Sequence, residues 1–234
     1  MACARVVLDE ARVVVIDKPS GLTSEEVSRH FGRRLVHRID RGTSGLLVLA
    51  DDARTVTRLQ RALRAGGVAR AYLFVALGIV RAARLDDVLV RDGGDGRRGV
   101  AHDHAQAATG KRAITDLTPL LSSPHATLGL ARLVTGRTHQ VRIQLAHAGH
   151  PIIGDDIYGR ARHEGRLLLH ALHLAFEHPT THQRRTITSN PPDDFVTAAA
   201  SVLAVGLAAA PRPTSGGTVS PRPAGCAPAA PETD

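Results

Sequence analysis

The chain has 234 residues, 43% hydrophobic and 22% charged, enough for one sizeable core and too few for a multidomain assembly. Aromatic residues make up only 3% and Trp is absent, which argues against modules that stack bases on aromatic-rich sheets. The net charge is +8, and of 30 basic residues only Lys18 and Lys111 are lysines. An arginine surplus suits phosphate and makes a polyanion the first partner to consider, with genome base composition as the bland source of the same bias.

Charges interrupt every apolar run of the opening MACARVVLDEARVVV, so no secretory signal is legible there. Residues 13–17 are β-branched and end at Pro19 and Gly21, the pattern of a strand running into a turn. Thr23 with Glu26 forms a capping box for a short helix toward Phe31. GLLVLA at 45–50 reads as a buried strand. Asp51 or Asp52 then caps a helix to about Arg64, with Val56, Leu59 and Leu63 on one face and Gly66 past its end. Arg54, Arg58 and Arg61 take the opposite side, either a solvated face or a phosphate-facing one. Residues 68–77, 113–121 and 127–134 read as strands, and Thr138 opens a helix to about His147. Shorter strands are expected at 167–176 and 184–188, and a last helix after Pro192.

From Pro211 onward six of the 13 prolines occur with almost no bulky apolar residue. Such a segment buries too little to offset its ordering entropy, so 1–210 is expected to be the folded domain and 211–234 a disordered tail. Many strands with few helices point to an α+β fold on a largely antiparallel or mixed sheet. Two cysteines at opposite ends, Cys3 and Cys226, fit a reducing cytosol. The longest apolar stretch, 195–210, falls short of a bilayer span. A soluble, cytoplasmic protein is expected.

A literal G-x-G-x-x-G at Gly94, Gly96 and Gly99 lies among charges with no apolar helical period after it, which favours a basic loop over a dinucleotide site. The histidines near His139, His147 and His150, and near His170, His173 and His178, lack zinc-site spacing; packing and hydrogen bonding are the expected roles. No metal or cofactor is expected. Asp40 sits in a Gly- and Thr-containing turn before a buried strand, between Arg38 and Arg41. Taken alone, an Asp in such a turn is more often a backbone hydrogen-bonder than a catalyst. TGRTHQVRIQLAHAGH places Arg137 and His139 at a helix start and Arg142 one turn in. Val141, Leu145 and Ala148 mark the expected buried face, so Arg142 would point inward at its edge, where a guanidinium needs an anionic partner.

Those motifs carry a resemblance. HRIDRGTSGLL, VARAYLFVALG, TGKRAITDLTPL, TGRTHQVRIQLAHAGHPIIGDDIYG and LLLHALHLAFEHP, in that order and preceded by VVVIDKPSGLTS, resemble the RluA family of pseudouridine synthases over about residues 8–195. The resemblance implies the pseudouridine synthase fold, a curved mixed sheet with flanking helices and a central cleft that accepts RNA. It also implies that Asp40 is the catalytic aspartate, Tyr72 the active-site tyrosine, Arg142 the arginine that pairs with the aspartate, and Arg38 one that reaches toward the RNA. Arg137 is the alternative for the pairing role. Thr43, Arg137 and His139 complete the expected substrate-binding set. Three positions depart from the family pattern: Arg70 where Lys is usual, Ile39 for Leu, and Gln144 at a common His position.

The implied reaction breaks the bond between ribose and uracil N1, turns the base and rejoins it through C5, with no redox change and no external group. The uridine must first leave its stack, at a cost of a few kcal/mol. Asp40 then acts as a nucleophile at the ribose or assists elimination to a glycal. Tyr72 would pack on the base. The expected partner is ribosomal or transfer RNA, with no membrane and no obligate protein partner, and the chain is expected to be a monomer. The rivals are a non-catalytic RNA-binding or ribosome-assembly protein on the same fold, which the intact Asp40, Tyr72 and Arg142 argue against, and a basic DNA-binding protein, for which no recognition helix is visible.

Overall fold

The structure, a computed structural model, describes residues 4–92, 97–159 and 165–205. The tail expected from residue 211 lies outside them, as do Gly94 and Gly96 of the glycine motif; Gly99 opens a two-residue strand instead of a helix. In chain order the elements are β1 (Arg5–Glu10), β2 (Val13–Lys18), α1 (Ser24–His30), β3 (Arg34–Leu35), β4 (Ser44–Ala50), α2 (Ala53–Arg64), β5 (Ala69–Leu77) and β6 (Ala83–Val90). They continue as β7 (Gly99–Val100), α3 (His104–Thr109), β8 (Lys111–Ser122), β9 (Ala126–Leu133), α4 (Gln140–His147), β10 (Leu169–Glu177), β11 (Arg184–Thr188) and α5 (Asp193–Val205).

The strands share one sheet in the order β1-β2-β4-β10-β5-β9-β8-β6-β7, with β3 beside β4 and β11 beside β10. Only β4 and β10 pair in parallel, so the sheet is mixed and the class α+β, as expected. Helices cover both faces of β4. Leu47 and Leu49 pack with Val14, Ile16 and Val27 under α1, while Leu46 and Val48 pack with Val13, Val15 and Leu59 under α2. A strand covered on both sides has no solvent face to mark with polar residues, hence the unbroken LLVLA. The Thr23–Glu26 capping box forms as read, and Asp52, not Asp51, caps α2 by accepting from the Thr55 amide at 2.8 Å.

The contact of β4 with β10 is brief: Ser44 faces His170, Gly45 faces Ala171, and from His173 onward β11 borders β10 instead. Gly45 sits at φ +106°, and a Cβ there would collide with the Ala171 carbonyl. Only glycine combines that backbone with so close an approach, and it fixes where the turn preceding β4 meets the middle of the sheet.

Two details of α4 differ from the sequence reading. The helix starts at Gln140, two residues beyond Thr138, and Ala148 is exposed. Every residue from Gln140 to Leu145 is buried, so no single apolar face exists. The polar ones are satisfied by β8 and β6. Gln140 Nε2 donates to the Ile114 carbonyl at 3.0 Å and to Thr115 Oγ1 at 2.9 Å. Gln144 Nε2 donates to Asp87 at 2.7 Å and to the Ala113 carbonyl at 3.0 Å. Buried amides so bonded replace an apolar stripe without penalty.

Candidate active site

A cleft of about 490 Å³ opens where the turn before β4, strand β5 and the start of α4 meet. The segment after β2 shapes its first wall. Lys18, fully buried, donates through Nζ to the carbonyls of Leu22 at 2.7 Å, Pro19 at 2.9 Å and Arg41 at 3.3 Å. Ser24 Oγ donates to the Ile39 carbonyl at 2.9 Å and accepts from its amide at 3.0 Å. Thr43 N donates to the Asp40 carbonyl at 3.0 Å. The backbone on both sides of Asp40 is therefore held, and its carboxylate projects into the cleft. Burial pushes the Lys18 ammonium down to about 8, with Asp40 opposing.

Arg142 supplies the opposite wall. Its Nη1 donates to Asp40 Oδ2 at 3.2 Å, while Nε and Nη2 form a fork on Asp155 at 2.8 and 2.7 Å. Asp155 also accepts from the amides of Ile157 and Tyr158, both at 3.0 Å. Asp155 is fully buried and Arg142 5% exposed, against 20% for Asp40. Burial opposes the charge on each, yet the mutual hydrogen bonds prevail: Arg142 is raised and Asp155 lowered. The Tyr158 ring lies 5.4 Å from the Arg142 guanidinium, its hydroxyl 3.0 Å from His139 Nδ1. His139 Nε2 returns to within 3.7 Å of Asp40 Oδ1. Asp40, Arg142, Tyr158 and His139 thus form a closed ring around one carboxylate. His139 occupies a left-handed conformation, φ 57°, at the cap of α4 without capping it by its side chain. Burial chiefly lowers it, so the imidazole is neutral near neutral pH.

Of the two arginines considered for the pairing role, Arg142 reaches Asp40; Arg137 is exposed at the rim and donates to the Arg112 carbonyl at 3.0 Å. Arg38, also on the rim, pairs with Glu25 at 3.1 Å. Tyr72 lines the floor at 9% exposure, and burial raises its phenol, which stays protonated. Thr43 is buried, with its hydroxyl unbonded. All seven expected site residues line this cleft. Asp155 and Tyr158 were missed as individuals, although GDDIYG lay inside a motif already singled out. Gly154, at φ +77° and with no room for a Cβ beneath the Arg166 carbonyl, is the turn that aims Asp155. Among the described residues no group of His, Cys, Asp or Glu is arranged to hold a metal ion, and no helix is long and apolar enough to cross a membrane.

The family model described as RNA pseudouridylate synthase matches residues 12–147. The ribosomal large subunit pseudouridine synthase D of Pseudomonas aeruginosa is 30% identical over 226 residues, covering 82% of this chain and 69% of that protein. The synthase D of Vibrio cholerae is 34% identical over 178 residues, covering 69% of this chain; the chain spans 53%, about half, of that relative. The solved structure of human RNA pseudouridylate synthase domain containing 4 superposes with a TM-score of 0.69 at 22% identity, covering 85% of this chain and 92% of that one, which is a likeness of fold. Fold and sequence together define the class, RNA pseudouridine synthases, isomerases that act on RNA. Within that class the chain belongs to the RluA family, as the ordered motifs implied.

Proposed function

We propose that the cleft receives a uridine flipped out of a structured RNA and that Asp40 carries its isomerisation to pseudouridine. Large-subunit ribosomal RNA is the substrate class favoured by the names of the curated relatives, with transfer RNA as the comparison. The observation that carries this reading is the clamped carboxylate. Asp40 is one-fifth exposed, facing the cleft, and bonded to an arginine whose other edge is locked on a buried aspartate. A carboxylate so held is aimed and reachable.

In the reaction the C1′–N1 bond breaks and its electron pair leaves with the uracil. Asp40 either bonds to C1′ or takes the C2′ proton to give a glycal. C5 of the turned base then bonds C1′, Asp40 is released or returns its proton, and the C5 proton passes to solvent while N1 takes one up, so the product is an isomer of the starting uridine. We take the active form to be a cytoplasmic monomer.

The test is tritium release from RNA labelled at C5 of uracil, comparing wild type with Asp40→Asn on ribosomal and transfer RNA pools. Asparagine preserves the shape and can still accept from Arg142 but lacks the anionic oxygen. Release by wild type and background release by the variant is the expected result. Salt-sensitive RNA binding without release from either pool would make the protein a binder on a catalytic fold.

A further inference from the structure

Among the described residues, two buried side-chain polar atoms find no hydrogen-bond partner, Thr43 Oγ1 and Arg70 Nε. Both residues line the cleft that holds Asp40. Arg70 is the more telling: the residue is half-buried, and its Nε is shut off from water with no partner, which is costly for a charged group. It lies two residues before Tyr72 on β5, and the alternation of a strand puts both side chains on one face. Its guanidinium is seated against Gly136, where a Cβ would come within 2.5 Å of Nη1. Among the described residues no carboxylate pairs with it, and burial pushes it down.

The charges of the cleft are unevenly committed. Arg142 serves Asp40, Asp155 and Asp156 at once. Arg38 is engaged by Glu25, and Arg137 stands at the exposed rim. Among the described residues, Arg70 alone combines a floor position beside Tyr72 with a positive charge that no carboxylate pairs. Resting on the reading of the cleft as a uridine site, we propose that Arg70 is a further catalytic residue, which donates to a uracil carbonyl oxygen and stabilises the uracil anion formed when the glycosidic bond breaks.

The electron pair released from C1′–N1 spreads from N1 over O2 and O4, and a preorganised cation in a water-poor site is most effective where charge develops. The geometry of the base adds a second reason. Half a turn about the N3–C6 axis exchanges N1 with C5 and, with them, O2 with O4. A fork that receives one carbonyl before the turn meets the other afterwards, so one arginine serves both the departing and the returning base. The charge on the base is discharged when C5 bonds C1′; C5 then loses its proton to solvent, N1 takes one up, and nothing is oxidised or reduced.

Arg70→Met and Arg70→Lys, assayed by single-turnover tritium release at saturating RNA, test this. The Met variant should lose about 10²-fold or more in rate and Lys should restore much of it, while RNA affinity and its salt dependence stay near wild type. Thermal unfolding separates this role from a structural one: removing an unpaired buried charge should leave Tm unchanged or raise it. A Met variant within twofold of the wild-type rate overturns the proposal. So does a salt slope reduced by about 0.7 with the saturating rate intact, which marks a phosphate contact, and so does a lowered Tm that Lys does not rescue. Wild type inactive on every RNA would sink the functional reading as well; an active wild type with an equally active Met variant sinks this inference alone.

Discussion

At the scale of single residues the centre is one cation shared by Asp155, Asp40 and, at longer range, the exposed Asp156. Arg142 gives its bidentate edge to Asp155 and a single Nη1 bond to Asp40, so Asp155 sets the arginine's position and Asp40 takes what remains. Asp155→Asn should therefore destabilise the fold by about 3–5 kcal/mol, the usual cost of leaving one member of a buried pair uncompensated. Urea unfolding would measure this, and a loss of about 1 kcal/mol or less would mean that Arg142 is held by packing. A second residue-scale prediction concerns His37, whose Nε2 accepts from the Val48 amide at 3.2 Å and which burial, aided by Arg70, lowers to about 4. Between pH 6.5 and 4 the unfolded chain binds a proton that folded His37 refuses. Stability should thus fall through that interval as pH drops, by on the order of 1–3 kcal/mol, and be unaffected by this group above it. His37→Gln, which can still accept from Val48, should flatten that part of the curve in chemical denaturation run from pH 4 to 7; an unchanged slope would assign it to other groups.

At the scale of elements, what the sequence discloses depends on whether local chemistry and tertiary demand agree. Strand β4 and helices α1 and α2 were legible because covered faces, a capping box and an Asp cap write themselves into neighbouring residues. Strand β1 was not. Its hairpin to β2 turns through Ala11 and Arg12, both in the left-handed region at φ 38° and 77°, where Asn-Gly would be the readable signal. Strand β6 carries Asp86 and Asp87, poor strand formers. It is recruited by seven-residue pairing with β8, including Arg112 Nε on Asp86 at 2.8 Å. Helix α4 misled because its buried surface is glutamine and arginine bonded to partners distant in sequence. The same reason made Asp40 and Arg142 legible as a pair only through ordered motifs, since 102 positions separate them. Arg70 showed itself in the sequence only as a departure from Lys; that it lacks a partner is a property of the folded cleft.

For the molecule as a whole, many arginines pair at the surface, Arg112 with Asp86, Arg132 and Arg84 with Asp116, and Arg185 with Glu10. Such exposed pairs add little stability. Arg41 and Arg137, at the cleft rim, have guanidinium groups that carbonyls engage and, among the described residues, no carboxylate pairs. RNA affinity should consequently fall with salt. Changing either arginine to Ala should reduce the log–log slope by about 0.7 while leaving the saturating rate close to wild type; fluorescence anisotropy across a salt series reads both affinity and slope. Slopes identical to wild type would move the phosphate path elsewhere. The place of β10 has a consequence in time. This strand, beginning at Leu169, lies between β4 and β5, which are synthesised more than ninety residues earlier. A chain emerging from the ribosome has both walls of the cleft in hand but not the strand that joins them, so the enzyme cannot become active piecemeal. The centre of the sheet is laid after both its flanks, and late, long-range closure of that kind is slow. Until then a waiting β4, apolar on both faces, is the segment most in need of shelter.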